Sequence, residues 1–193
     1  MNRTQARRPE IRQAGYADVA AIAAFLDALS LRARYLRFFT GALSASPAVL
    51  RVLAGGGDHI DAVVAVENGV IIGHAMAADI PSSGPVTEIG VVVTDACQGR
   101  GIGSALVRTL AARARARGIT TATMEVLTEN RQVVAMITDH WPTARHDVSG
   151  ACATIRVPLP QPGGGPGDTA REPEGHGTGR TEEHPLERLA IPY

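Results

Sequence analysis

The sequence contains no lysine, and all 19 of its basic residues are arginine. This excludes the phosphate-binding loop of nucleoside triphosphatases, which needs a lysine after its last glycine. Acidic residues also number 19, so the formal net charge is zero. A chain without excess charge has no general attraction for nucleic acid or for an anionic membrane. We therefore expect neither as a partner.

Cysteine is scarce, and long apolar runs are missing. Cys97 and Cys152 are far apart and form no C-x-x-C pair, which is typical of a reduced, cytoplasmic protein. No apolar run is long enough to cross a bilayer. The six histidines do not follow a metal-ligand spacing, so we expect no metal site.

The composition changes near residue 160. Residues 161–193 begin with "QPGGGPGDTAREPEGHGTG", where proline, glycine and charge dominate. Such a segment cannot bury enough apolar surface to fold alone. We therefore expect one folded domain at residues 1–160 and a disordered tail at residues 161–193.

Within the domain, local signals predict the order of the elements. Ser30 is a candidate N-cap for the helix "LRARYLRFF". Gly118 is placed to end a second, longer helix, "IGSALVRTLAARARARG". Asn68-Gly69 joins two apolar strands and predicts a tight hairpin. The full order is strand, helices, three strands, helix, strand, helix and hairpin. This order predicts an α/β or α+β fold with a mixed sheet.

The segment "DACQGRGIGSAL", residues 95–106, places three glycines at alternate positions between a strand and a helix. Glycine lets the backbone approach a ligand closely, and a helix N-terminus presents unpaired N–H groups and the positive end of the dipole. This arrangement indicates a site for phosphate or pyrophosphate. The alternative is that the glycines only allow the helix to pack closely on the strand.

The pattern of this turn selects among known phosphate loops. The dinucleotide fingerprint G-x-G-x-x-G fails, because its last position falls on Ser104 or on Leu106. The pattern Q-x-x-G-x-G fits at Gln98, Gly101 and Gly103. It resembles the pyrophosphate loop of the GNAT superfamily of N-acetyltransferases.

The resemblance extends over nearly all of residues 8–158. Three segments carry it: "LSLRARYLRFF", "TEIGVVVTDACQGRGIGSAL" and "EVLTENRQVVAMI". Together they are similar to the acetyltransferase domain of bacterial protein lysine acetyltransferases. The resemblance implies a mixed, mainly antiparallel central sheet flanked by helices, with acetyl-CoA as the co-substrate.

The resemblance also implies which residues hold the coenzyme. Backbone groups of Val91, Val92 and Val93 would bind the pantetheine arm, although the same valines are ordinary core residues. Asn130 matches an asparagine that contacts the arm, and it is also a candidate helix N-cap. The pyrophosphate would lie on the turn formed by Gln98, Gly99, Arg100, Gly101, Ile102, Gly103 and Ser104. Arg100 is equally compatible with a solvated side chain.

Glu88 is the candidate general base. It shares one face of its strand with Gly90 and Val92, while Ile89 and Val91 point to the other face. A carboxylate among apolar neighbours holds its proton more tightly, which suits a base that works near neutral pH. The resembling enzymes have a glutamate at the matching place. The alternative is a carboxylate that faces solvent or pairs with an arginine.

These observations predict an N-acetyltransferase that moves an acetyl group directly from acetyl-CoA to an amine in a ternary complex. The acceptor is left open between a protein lysine and a small-molecule amine. The alternative function is a non-catalytic module that senses acyl-CoA. Many members of the superfamily have a tyrosine acid on the helix after Asn130, but the tyrosines here are Tyr16, Tyr35 and Tyr193. The thiolate would then leave without a general acid. The oligomeric state is not readable from the sequence.

Overall fold

The computed structural model of the protein describes residues 8–40 and 45–160. The segments 1–7, 41–44 and 161–193 lie outside the described residues, and so does the expected disordered tail. The described strands are β1 (Glu10–Gln13), β2 (Ile60–Glu67), β3 (Val70–Asp79), β4 (Val86–Val93), β5 (Thr121–Leu127), β6 (Arg145–Ser149) and β7 (Cys152–Pro158). The described helices are α1 (Val19–Ala28), α2 (Leu31–Phe38), α3 (Pro47–Leu53), α4 (Ile102–Ala116) and α5 (Arg131–His140).

All seven strands form one sheet in the order β1-β2-β3-β4-β5-β7-β6. Neighbouring strands are antiparallel except for β4 and β5, which are parallel. The mixed, mainly antiparallel sheet flanked by helices is therefore confirmed.

Strands β4 and β5 are hydrogen-bonded to each other over only a short length. Their register runs from Val86 opposite Thr121 to Glu88 opposite Thr123. Beyond Glu88, β4 continues to Val93 beside β3, and β5 continues to Leu127 beside β7. Because neither strand pairs with the other after Glu88, the sheet opens into a cleft at this point.

Two apolar layers cover the sheet. Helix α4 lies on one face, where it packs Leu106 and Leu110 against Ile89 of β4. Helices α1 and α3 lie on the other face, where Ile22 packs in a cluster that includes Val92. The predicted alternation of β4 is therefore confirmed, with Ile89 and Val92 buried in different layers.

The local signals in the sequence also hold. The Ser30 hydroxyl accepts a hydrogen bond from the Ala33 amide at 3.1 Å and caps α2. Asn68 and Gly69 turn the β2–β3 hairpin with φ of 52° and 80°. Gly118 follows α4 with φ of 89°, a left-handed conformation that glycine adopts without a steric penalty.

One histidine is sealed inside this structure. His74 of β3 is 1% exposed, and its Nε2–H donates to the Leu53 carbonyl oxygen at 2.7 Å. Burial lowers the pKa of His74 to about 4 from the ordinary 6.5. The hydrogen bond to Leu53 raises this pKa, and the charge of Arg37 lowers it further. His74 is therefore neutral near neutral pH and serves as a satisfied sheet residue.

We expect the free energy of unfolding to fall as the pH drops from 6.5 toward 4. In this range the unfolded chain binds a proton on His74 that the folded chain excludes, which costs roughly 2–3 kcal/mol of stability. Urea unfolding at about pH 7.5 and about pH 4.5 measures the loss. His74→Gln keeps a donor for Leu53 but does not titrate, so the variant should lose less stability. Equal losses in the two proteins would contradict the assignment.

Candidate functional site

A cavity of about 400 Å³ lies beside the end of β4, in the part of the strand that does not pair with β5. It is bounded by α2, by the end of β4, by the glycine turn before α4, and by α5. Of the residues predicted to bind the coenzyme, those that line it are Val91, Val92, Val93, Gln98, Gly99, Gly101, Ile102, Gly103, Ser104 and Asn130. The structure thus brings together residues from three separate segments of the chain.

The glycine turn forms one end of this cavity. Gly99 and Gly101 have φ of 72° and 76°, which other residues rarely adopt, so glycine is required here by the backbone itself. Gly101 is the N-cap residue of α4, and no side chain of the described residues caps that helix. The first N–H groups of α4 are therefore left for a ligand. The Gln98 side-chain amide donates to the Val93 carbonyl oxygen at 3.1 Å and holds the turn against β4.

Arg100 is the one predicted coenzyme residue that does not line the cavity. Its guanidinium forms a two-pronged ion pair with Glu67 at the end of β2, with N–O distances of 2.5 and 3.2 Å. The hydrogen bond to Arg100 lowers the pKa of the Glu67 carboxyl. Arg100 would have to leave Glu67 before it could contact a phosphate.

Asn130 is the helix N-cap that one of its two interpretations predicts, and its contact with the coenzyme arm stays a prediction. Its side-chain oxygen accepts a hydrogen bond from the Val133 amide at 3.4 Å, and the residue is the N-cap of α5. It also lines both this cavity and the smaller one at Glu88. The cap fixes the orientation of Asn130 toward the cleft.

Glu88 lies in a second, smaller cavity of about 30 Å³ that adjoins the first. Both cavities are lined by Arg37, Val91 and Asn130, so the two spaces meet there. The Glu88 side chain is 8% exposed and stands at the last paired position of β4 and β5. The expectation of a buried carboxylate is therefore met.

Sequence reasoning missed Arg37, which is the main cation near Glu88. This residue of α2 is 7% exposed, and its guanidinium lies over Gly90 of β4 and over the Phe38 ring, 4.9 Å from the ring centroid. Burial lowers the pKa of Arg37 to about 10, and the negative charge of Glu88 opposes this shift. The surroundings of Glu88 are therefore not purely apolar, because Arg37 interacts with it electrostatically, as the alternative interpretation of an arginine neighbour anticipated.

A signal for Arg37 was present in the sequence. Gly90 interrupts a strand that otherwise consists of large residues, and its φ is not positive. A Cβ atom at position 90 would lie 2.3 Å from Cζ of Arg37. Glycine is needed here for space, so an unexplained strand glycine predicts that a side chain from another element crosses it.

Other residues of the site also escaped sequence reasoning. Glu125 of β5 lines the smaller cavity beside Glu88. Met136 and His140 of α5 line the larger cavity, and the Met136 sulfur would lie 3.4 Å from a Cβ atom at Gly103. Met136 and His140 follow from the helical spacing of α5 only once the position of that helix is known.

The arrangement combines two chemically different ends. Main-chain N–H groups and a helix dipole at the glycine turn suit an anion. A buried carboxylate at the other end suits proton transfer. Among the described residues, no group of three His, Cys, Asp or Glu side chains is placed to hold a metal ion.

Comparison with known proteins identifies this architecture. The profile of the acetyltransferase (GNAT) family matches residues 29–139. No curated protein sequence matches the chain significantly. Among solved structures, the GNAT domain of PAT from S. lividans is 26% identical with a TM-score of 0.69, and the match covers 78% of this chain and 90% of that one.

Two further structures share the fold at lower identity. A phosphinothricin acetyltransferase from Sinorhizobium meliloti, solved in complex with acetyl-CoA, is 21% identical with a TM-score of 0.66, covering 87% of this chain and 95% of its own. The ribosomal-protein-alanine N-acetyltransferase from Brucella melitensis is 17% identical with a TM-score of 0.62, covering 77% and 98%.

The chain belongs to the acetyltransferase (GNAT) family, because the family profile spans more than half of it. Its sheet, its glycine turn before α4 and the cleft between β4 and β5 are the structural counterparts of that membership. Within the described residues, each helix is too short or too polar to cross a bilayer.

Proposed function

We propose that this protein transfers the acetyl group of acetyl-CoA directly to a primary amine, with Glu88 as the general base. One observation carries the proposal. Two cavities that share the lining residues Arg37, Val91 and Asn130 lie side by side, one at the N-terminus of α4 and one at Glu88, and each has the chemistry that one of the two substrates requires. The proposed catalytic unit is the domain at residues 1–160.

The coenzyme would bind by its pyrophosphate at the glycine turn. N–H groups from Gln98 to Ser104 would donate to the phosphate oxygens, and the dipole of α4 would favour their negative charge. Arg100 would add a contact only by exchanging Glu67 for a phosphate, since its guanidinium is held in that ion pair. The main chain therefore supplies most of the binding.

The pantetheine arm would run along β4. After Glu88 this strand pairs only with β3 among the described strands, so alternate N–H and C=O groups between Val91 and Val93 face the cleft. An arm that adds to this edge would place its thioester near Glu88. Asn130, which lines both cavities, would orient the arm from the opposite wall.

The acceptor amine must lose a proton before it can attack, because an alkylammonium has a pKa of about 10.4. Glu88 would take this proton, and the amine lone pair would then form a bond to the thioester carbon. A main-chain N–H of β4 would stabilise the charge on the carbonyl oxygen. The C–S bond would break as the amide forms, coenzyme A would leave as its thiolate, and the nitrogen would release its second proton to solvent. Neither Tyr16 nor Tyr35 lines the two cavities, so no tyrosine acid is assigned.

The smaller cavity favours a primary amine on an apolar stem. Leu36, Phe39 and Met124 supply apolar walls, while Glu88 and Glu125 supply negative charge. An ammonium group on an alkyl chain fits both features. A protein lysine is such a group, and it is the acceptor that the resemblance to protein lysine acetyltransferases favours.

Glu88→Gln should abolish transfer while leaving coenzyme binding intact. The amide has nearly the same shape but cannot accept the proton, so kcat should fall by about 100-fold or more. Initial rates and calorimetric titration with acetyl-CoA measure the two effects separately. A variant that binds acetyl-CoA and transfers at the wild-type rate would exclude Glu88 as the base. A wild-type protein that binds the coenzyme but acetylates nothing would indicate the sensor module instead.

Gly103→Leu should block the coenzyme site without unfolding the protein. A Cβ atom at position 103 has room beside Met136, but a longer side chain would enter the cavity between α4 and α5. We expect the affinity for acetyl-CoA to fall by about tenfold or more. Ala112→Leu adds the same side chain to an exposed position of α4 and should bind normally. Equal affinities of the two variants would place the coenzyme elsewhere.

The acceptor class can be tested with labelled acetyl-CoA. An N-terminally blocked peptide with one lysine should gain label at the ε-amine, and the same peptide with arginine instead should gain none. The enzyme itself contributes no lysine background. Mass spectrometry locates the label. Label that enters only free amino acids or small amines in a parallel mixture would exclude a protein lysine as the acceptor.

A further inference from the structure

The position of Arg37 suggests a role that packing alone does not explain. A guanidinium is costly to bury, because it loses its hydration. Here α2 buries it at 7% exposure, and its Nε atom has no hydrogen-bond partner among the described residues. Gly90 leaves the space in which the group lies. An apolar side chain of similar volume would fill the same space at lower cost.

The charged groups around Glu88 differ from one element to the next. From β3, His74 faces the same side of the sheet, but its pKa of about 4 leaves it neutral near neutral pH. From β5, Glu125 brings a second carboxyl group to the same small cavity. From α2, Arg37 brings the positive charge, and it interacts electrostatically with Glu88. Arg37 is thus the cation among the described residues that line this cavity.

We propose that Arg37 is a positioning residue that keeps Glu88 ionised in its buried position, and that Gly90 is required so that the guanidinium can reach it. The inference rests on the proposed role of Glu88 as the base. It extends that role by assigning a function to α2 and to the strand glycine.

The physical reason lies in two opposing effects on the carboxylate. Burial favours the protonated, neutral form of a carboxyl group, and in that form Glu88 could not accept a proton from the acceptor amine. The buried guanidinium favours the charged form and remains protonated near neutral pH. Arg37 therefore allows a base that is shielded from water and still ready to accept a proton.

The test is a direct titration of the Glu88 carboxyl group, which does not depend on activity. Protein with ¹³C-labelled glutamate is titrated by NMR, and Glu88→Gln identifies the signal. In Arg37→Met the midpoint of the Glu88 titration should move upward by about one pH unit or more. Arg37→Lys should restore most of the wild-type midpoint. Arg32→Met, at an exposed position of the same helix, should not change it.

A second variant covers the case in which Arg37→Met does not fold. Gly90→Ala keeps the charge but places a Cβ atom where the guanidinium lies, so it should move the midpoint in the same direction. An unchanged Glu88 midpoint in the folded variant would overturn the proposal.

Kinetics separate this inference from the proposed function. The acidic limb of kcat/KM should shift with the Glu88 midpoint in Arg37→Met, while the rate at high pH should recover. A purely structural role of Arg37 would instead lower the rate equally at every pH. If Glu88→Gln remains active, the assignment of the base fails, yet the NMR titration still decides whether Arg37 controls the ionisation of Glu88.

Discussion

The parting of β4 and β5 after Glu88 is the constraint on which the site depends. Strands inside a sheet satisfy their backbone groups on both sides, and a ligand cannot reach them. Here the parallel pairing stops at Glu88 opposite Thr123, and both strands continue separately. The cavity, the free edge of β4 and the position of Glu88 at the apex of the cleft all follow from this one interruption. Because β3 and β7 hold the outer sides of the two strands, the cleft stays open inside a stable sheet.

The cleft has opposite electrostatics at its two ends. At the glycine turn the partial positive charge comes from main-chain N–H groups, since Gly101 is the N-cap residue of α4 and no described side chain caps this helix. The nearby cation, Arg100, is already paired with Glu67. At the apex the groups are buried side chains, where Glu88 and Arg37 interact within a small, mostly apolar space. In the proposed function, the first end holds the coenzyme and the second handles the proton of the acceptor.

Much of the fold follows from local chemistry, and those parts were predictable. The N-cap of α2 at Ser30, the β2–β3 hairpin at Asn68-Gly69 and the end of α4 at Gly118 each depend on a few neighbouring residues. The structure contains all three. The glycine turn is local as well, because positive φ at Gly99 and Gly101 is a property of the residue itself. The alternation along β4 predicted correctly that Ile89 and Val92 lie in different layers. The assignment of Glu88 as the base extends beyond this geometry and stays a prediction.

The sequence by itself determined the elements, their order, the glycine turn and the family resemblance, because each depends on residues that are close along the chain. Only the tertiary structure decided which distant residues share the site. Arg37 precedes Glu88 by a helix and two strands, and the pairing of Arg100 with Glu67 joins a turn to another strand. Such contacts depend on how α2 packs beside β4 and β5 and on where the sheet opens. Local propensity carries no information about either, since both are set by the packing of the whole core.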